Sequence, residues 1–503
     1  MKLWLKSLLM VGAIVVLTVG AGAAYLFTVS SSTVKTLKTT YTSVGKTDTT
    51  QTLKATKPLT IVLLGVDTGG VGRGTANSWQ GNSDSQIVMT LNPKTDTTTM
   101  VSMERDTMTN ILDGNGKIIS KQKMNAAYPY GYNAGGITSA AQYAMNTIGQ
   151  QAGVNVTNFV AMNFDGLINL VDDVGGIEVV NDTNGQDALK GTSKGQMVTL
   201  PTGETVASGA IYISDTEPAY TAYVPYYPDN RLQLLNGQQA LVFARDRHTL
   251  GNGDYGRQAH QRAVLSALMK KIVALDNITQ YQKFLSDISQ DMKTNIPING
   301  STLASLIAYK DCFKKVVSIQ YQGVGMTAQG ASYQFMPENV DLAVQNAMRS
   351  SLGEPTETTL GNDIITYESY YGTSADSQGY LMPSATVTEN GKATVYGINT
   401  DGSLVTIDSS NSGKYISTTG NPVVSNATST SGTSSSSSTD TTGSSSTGAT
   451  NTSSTTTSTS QKPVPAGLTP TGTAGVYTSP KGYTVYYKNG SYVYTDGTLY
   501  PGQ

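Results

Sequence analysis

Four arginines crowd one short stretch, ALVFARDRHTLGNGDYGRQAHQRAV, from Ala240 to Val264. They are Arg245, Arg247, Arg257 and Arg262, with Asp254 and Gln261 among them. Guanidinium groups fork onto carboxylate or phosphate oxygens in bidentate fashion. The chemistry offered is therefore the capture of an anionic, oxygen-rich group. The apolar run Ala240–Ala244 predicts a strand, and residues two apart on a strand share a face, so Arg245 and Arg247 would point the same way. Gly251 and Gly253 mark a turn, and Asp254 opens a helical pattern as its N-cap region. A solvated ion-pair network is the plainer reading of such a cluster. Its density counts against that reading, because only 14% of this chain is charged, where about a quarter is usual.

Further candidates stand where other apolar runs end. LTIVLLGV, Leu59 to Val66, has the length and continuity of a strand buried on both faces and ends at Asp67. A Gly-rich loop containing Arg73 and Asn82 leads to Asp84. Strands are predicted over Gln86–Leu91 and Thr97–Met103, the second running into Glu104, Arg105 and Asp106. Ligands of open α/β sheets bind at the carboxyl ends of strands. Carboxylates and arginines without a His/Cys ligand set point to Mg²⁺ and a phosphate-bearing substrate, not to zinc. Phosphoryl transfer asks mainly for positioning and charge stabilisation. No Ser–His pairing and no Walker A loop is present.

The elements that must position these groups alternate. Helices are predicted over Ile137–Ala152, from Asp165 to the stop at Gly175–Gly176, over Leu232–Gln239, from Asp254 to about Leu275, and near 278–292 and 301–312. Strands are predicted over Asn158–Phe164, Ile177–Val180 and Val316–Tyr321. This predicts an α/β layered domain over 58–350, a central mostly buried sheet flanked by helices. Lys2 and Lys6 precede an uncharged apolar run to Phe27, long enough to span a bilayer, so residues 1–29 are expected to be a membrane anchor. A signal peptide cleaved after Ala21-Gly22-Ala23 is the alternative. Residues 30–57 form a stalk, 351–424 a β-prone extension, 425–462 a Ser/Thr-rich linker and 463–503 a small Tyr-rich module. The segments 384–408 and 476–500 each carry Asn-Gly then Asp-Gly, which are hairpin signals. A net charge of −2 offers no field for nucleic acid. The single cysteine, Cys312, excludes an internal disulfide, and its apolar neighbours suggest an inert buried thiol.

Taken together, LLGVD (63–67), NSD (82–84), MERD (103–106), KMNAAYPYG (123–131), VDDVGGIEV (171–179) and ALVFARDR…GDYGRQAHQ (240–261) resemble the LytR-CpsA-Psr family of Gram-positive bacteria, over roughly 58–275. The resemblance implies an extracytoplasmic, membrane-anchored domain. Such a domain binds polyprenyl-pyrophosphate-linked polymers beside an apolar tunnel and transfers the polymer to a peptidoglycan sugar hydroxyl. It implies that Asp67 and Asp84 help to hold Mg²⁺, and that Arg105, Arg245, Arg247 and Arg257 bind the pyrophosphate. Asp254 and Gln261 match further active-site positions. Arg73, Asn82, Lys123, Asn125 and Arg262 are the remaining substrate-binding candidates. Either Asp84 or Asp254 is the candidate base for the acceptor hydroxyl. The family often has Arg-Ser-Asp where this chain has Asn82-Ser83-Asp84, with Arg73 as a possible substitute cation. The competing expectation is a non-catalytic wall-binding or regulatory protein.

Overall fold

The computed structural model describes residues 41–44, 57–68, 79–181, 231–247, 253–274, 291–296 and 309–417, and short segments between 197 and 227, at 250 and between 468 and 494. The expected anchor over 1–29, most of the stalk, Arg73, most of 278–292 and 301–312, and the linker 425–462 lie outside the described residues. Among the described residues no helix is long and apolar enough to cross a membrane. The chain divides into two units, Met1–Thr428 and Ser429–Gln503.

The first unit is built on strands β1 (Leu59–Thr68), β2 (Gly81–Asn92) and β3 (Thr97–Ser102). A hairpin follows, β4 (Met108–Leu112) and β5 (Ile118–Lys123), and then helix α1 (Ala127–Ala152), β6 (Asn158–Met162), α2 (Phe164–Asp173) and β7 (Ile177–Val179). After β8 (Gln233–Leu235) come α3 (Gly237–Arg245), α4 (Asp254–Val273), β9 (Met292–Thr294) and β10 (Lys315–Gln320). A second hairpin, β11 (Val324–Ala328) and β12 (Ala331–Phe335), precedes α5 (Glu338–Leu352) and the short α6 (Tyr367–Tyr371). Strands β13 (Ser384–Glu389), β14 (Lys392–Ile398) and β15 (Leu404–Thr406) close the unit. The main sheet runs β9-β6-β1-β2-β3-β10-β13-β14-β15. The β1–β6 and β3–β10 pairs are parallel, and the other neighbours are antiparallel.

The apolar run in β1 serves two cores because alternate side chains leave opposite faces of a strand. Val62, Leu64 and Val66 join Val88 and Val101 against α1 and α5, with Ile148 and Val344. Leu59 and Ile61 join Ile87, Met89 and Met100 against Met269 of α4 and Cys312. A third core lies among α2, α3 and α4, with Val171, Phe243 and Leu268. The layered α/β arrangement is as the sequence predicts. Cys312 is buried, and burial pushes its thiol up to about 11, which suits an inert core position.

Several expectations are corrected. Ala240–Ala244 is not a strand but the body of α3. A short apolar run is compatible with either element, and the arbiter here is a capping box: Asn236 accepts from the Gln239 backbone while the Gln239 side chain accepts from that of Asn236. Arg245 and Arg247 therefore do not share a strand face. The helix expected over Leu232–Gln239 is instead β8, paired with β7, followed by that cap. The cap of α2 is Asn163, which accepts from Gly166, and Asp165 lies in the first turn. Residues 384–406, expected in a separate extension, are three strands of the main sheet, bonded edge to edge through β10. Their Asn390-Gly391 pair does form a two-residue turn, with φ of 51° and 76° and Glu389 opposite Lys392.

The second unit contains a four-stranded antiparallel sheet over Thr469–Pro470, Val476–Thr478, Thr484–Lys488 and Ser491–Tyr494. The Asn489-Gly490 pair lies outside the described residues.

Asp341, in the first turn of α5, is buried against Gln151, whose amide donates to it at 2.8 Å while Thr109 donates to Gln151 at 3.0 Å. Burial lifts its carboxyl to about 8, outweighing that hydrogen bond. A carboxyl raised on folding stabilises the fold fully below the unfolded pKa and loses that contribution as pH rises through the folded one. Between pH 4 and 8, Asp341→Asn should therefore gain roughly 5 °C in Tm relative to wild type. Parallel melting-temperature curves for the two proteins would show the assignment to be wrong.

Candidate functional site

The site forms at the sheet edge where β1 and β3 end and β2 begins. Asp67, the penultimate residue of β1, is buried opposite Asn82 in register. Between Gly65 and Val66 the register jumps: Gly65 faces Ser85 and Val66 faces Ser83, which leaves Asp84 as the extra residue of a β-bulge. A bulge bends its strand and re-aims a side chain. Two glycines make room for the crossing. A Cβ on Gly65 would stand 2.9 Å from that of Ser85, and one on Gly81 would stand 2.1 Å from the Asp67 carbonyl oxygen.

Asp84 is turned onto Arg105, at 3.1 Å, just beyond the end of β3. Arg105 also lies 3.5 Å from Asp106 and 3.7 Å from Asp254, the first residue of α4. Burial works against the guanidinium's charge, yet Asp84, Asp254, Asp106 and Glu104 outweigh it and hold Arg105 above its ordinary value. Arg257, one turn along α4, pairs with Asp254 at 2.7 Å and donates to the Asp84 carbonyl at 3.3 Å. Its own burial pulls it below its ordinary value. Lys123 reaches Asp106 at 2.9 Å and stands over the Tyr333 ring. Asn125 donates to Asp84 at 3.5 Å. Asp84, Arg105, Lys123, Asn125, Asp254 and Arg257 thus meet, although they come from positions scattered over more than 170 residues.

Gln261 acts as a clasp. Its Oε1 accepts from Ser85, next to Asp84, and its Nε2 donates to the carbonyl of Ala244, next to Arg245. This draws the end of α3 toward the bulge. There the Arg245 guanidinium stands 4.8 Å over the ring of Phe164, and Arg247 is exposed two residues later. Beneath them His260 stacks on Phe243 at 3.8 Å and bonds its carbonyl oxygen, a packing role. Asn82 is exposed. Tyr128 is fully buried, with its hydroxyl on the Trp79 carbonyl, so it packs, whereas Tyr130 is exposed.

Arg262 does not join the cluster. It is buried under the sheet, where its three nitrogens donate to Ser318, Ser102 and Gln320. Burial lowers its pKa to about 10. Five positions beyond Arg257, it faces the ends of β3 and β10 and ties α4 to them. Three residues in the site were not singled out from the sequence, Glu104, Asp106 and Gln258. The signals were present: Glu104 precedes Arg105, and Gln258 is one helical turn from Asp254.

With this geometry in view, the comparisons with known proteins become decisive. Residues 24–350 match the sequence model of the LytR_cpsA_psr family. The chain belongs to that family. It is 35% identical to biofilm regulatory protein A of Streptococcus mutans, over 74% of this chain and 83% of that one. It is 34% identical to the polyisoprenyl-teichoic acid–peptidoglycan teichoic acid transferase TagU of Enterococcus faecalis, over 66% of this chain and 92% of the relative. A crystal structure of a Streptococcus agalactiae protein is 37% identical, covers 64% of this chain and 97% of its own, and superimposes with a TM-score of 0.53. The segments that carry the resemblance converge in the fold: LLGVD and NSD meet at the bulge, and MERD and GDYGRQ meet across Arg105.

Because Arg262 is a tie and not a ligand-binding group, Arg262→Ala should lower the unfolding free energy by about 2–4 kcal/mol. Urea titration reads that loss. Affinity for a prenyl pyrophosphate should stay at the wild-type value, and a stable variant with lost affinity would return Arg262 to the site.

Proposed function

We propose that this protein is a cell-surface phosphotransferase that moves a glycopolymer of the wall teichoic acid or capsule class from a polyprenyl-pyrophosphate carrier to a sugar hydroxyl of peptidoglycan. The observation that carries this reading is the cluster in which Arg105 and Arg257 are held among Asp84, Asp106 and Asp254 at the sheet edge. Its support is the family membership and the activity named for the Enterococcus faecalis relative, which joins polyisoprenyl-linked teichoic acid to peptidoglycan.

Guanidinium forks match the non-bridging oxygens of a diphosphate. On this reading Arg105 and Arg257 exchange carboxylate contacts for phosphate oxygens, and Arg245, Arg247 and Lys123 add positive charge around the head group. Holding the forks in advance between carboxylates spares the site reorganisation as charge develops. Asp84 and Asp254 are only partly buried, with side chains 29% and 19% exposed, so an acceptor hydroxyl has access to either. The base takes the hydroxyl proton, the sugar oxygen bonds to the phosphorus that carries the polymer, and the bond from that phosphorus to the bridging oxygen breaks. Prenyl phosphate leaves with the bond's electron pair. Attack by water in place of the sugar would give pyrophosphatase side activity.

Asp67 near the end of β1 and Asp84 in the facing bulge of β2 are the carboxylates that would help to hold a Mg²⁺, an ion usually bound by one or two carboxylates and the substrate's phosphates. Among the described residues no group of three or more His, Cys, Asp or Glu side chains makes a complete cage, so water and the substrate's phosphates would supply the remaining oxygens. When bound, the ion would neutralise charge on the diphosphate and on the departing phosphate. The apolar segment within 1–29 would anchor the chain in the membrane, with its bulk outside, beside a lipid-borne substrate.

The name of the Streptococcus mutans relative favours a second reading, a regulator that retains prenyl pyrophosphate without turnover. Release of prenyl phosphate by the purified chain in Mg²⁺ separates the two. Asp84→Asn, Arg105→Ala and Arg245→Ala should each lower that release by about 100-fold or more, measured on protein that circular dichroism shows to be folded. Full release by any of them removes that residue from the mechanism. Retention of prenyl pyrophosphate without release by the wild type favours the regulator.

A further inference from the structure

The reaction as derived makes no use of Glu104, the most deeply buried acid of the cluster. It is 2% exposed and lies between the end of β3 and Arg105. Its Oε1 accepts from the backbone N–H of Asp106 at 3.2 Å, its Oε2 meets the side-chain amide of Gln258, and its own N–H donates to Tyr321 at 3.4 Å. Asp254, Tyr255 and Arg257 of α4 face it, as do Tyr321 beyond β10 and its neighbours Arg105 and Asp106. Four carboxyl groups, Asp84, Glu104, Asp106 and Asp254, share this edge with three cations, Arg105, Lys123 and Arg257. The ion pairs of those cations go to Asp84, Asp106 and Asp254. A fourth negative charge, out of water and beside two of the others, would work against any anionic ligand.

We propose that Glu104 is a positioning residue that carries a proton whenever the diphosphate head group is bound, so that the anion enters a cluster with three carboxylates and not four. The proposal rests on the diphosphate reading of the site. Burial first, then the nearby Asp254 and Asp106, already lift Glu104 to about 8. A bound diphosphate adds like charge and raises it further. Linkage then fixes the sign: at pH 8, where free Glu104 is about half ionised, binding draws a proton from solvent, and well below that pH Glu104 is already neutral and draws none. As pH rises beyond 8, affinity falls, approaching tenfold per unit. Gln258 transmits the protonation state, because its amide also reaches Asp254 at 3.5 Å.

The test is calorimetric titration of the full chain in detergent with geranyl pyrophosphate and Mg²⁺. Buffers of differing ionisation enthalpy count the protons taken up, at pH 6 and pH 8, for wild type and Glu104→Gln. Subtracting the variant cancels the titration of the probe and of its metal complex. The expected result is an excess uptake in the wild type at pH 8, up to one proton, and none at pH 6. At pH 9 the variant should bind up to about tenfold more tightly than wild type. Equal proton counts and parallel affinity profiles overturn the proposal. If Glu104→Gln fails to fold, infrared difference spectra of the wild type at pH 8 serve instead: a protonated-carboxyl band must grow on adding the probe, and its absence overturns the proposal. No binding at any pH overturns the diphosphate reading and this proposal together, whereas binding without excess uptake overturns this proposal alone.

Discussion

The site depends on a charge held where water is scarce. Arg105 sits just beyond β3 with Asp84, Asp106 and Asp254 on three sides, and those acids come from a bulge, its own loop and the start of α4. A guanidinium so placed loses hydration and must recover it from carboxylates. The carboxylates are equally bound to it, and like charges that close would otherwise disperse. Remove the arginine and three acids face one another; remove the acids and a cation is stranded. The mutual requirement fixes the strand ends and the start of α4 relative to one another, and it leaves a preformed set of donors. A head group then needs only to replace contacts, not to organise them.

Several uncharged features serve that arrangement. The bulge after Gly65 spends one residue so that Asp84 leaves the ladder's alternation. Gly65 and Gly81 are needed because the strands cross there too closely for a Cβ. Gln261 of α4 joins the bulged strand to the end of α3, and Arg262, one position on, fastens α4 to β3 and β10. Successive residues of α4 point to different surroundings, about 100° apart, and the helix uses that turn to divide its labour. Asp254 and Arg257 face the ligand side, Gln258 and Gln261 bridge, and Arg262 is sunk beneath the sheet.

The neutral form of Glu104 fits the same economy of charge. An acid in so dry a position contributes hydrogen bonds without a further negative charge as long as it keeps its proton. Asp341, in the first turn of α5, is in a similar condition. Its role is packing: its bond to Gln151 joins α5 to α1.

The amino-acid sequence by itself determined the layers and the cast. An unbroken apolar run marked β1 because a strand buried on both faces has no polar side to show, short β-prone runs marked β2 and β3, and the arginines and acids at their ends marked the site. It did not decide whether Ala240–Ala244 was strand or helix, since an element buried on every side loses the periodicity that distinguishes them. Only the tertiary structure decided that, through a cap on Asn236 and packing against α2 and α4. It also decided which of the neighbouring arginines joins the acidic cluster and which ties α4 to the sheet, for Arg257 and Arg262 are chemically alike. Arg257 pairs with Asp254 on its own helix and reaches the distant Asp84 carbonyl, whereas Arg262 meets two serines and a glutamine from β3 and β10, and no local pattern records what lies opposite in a fold.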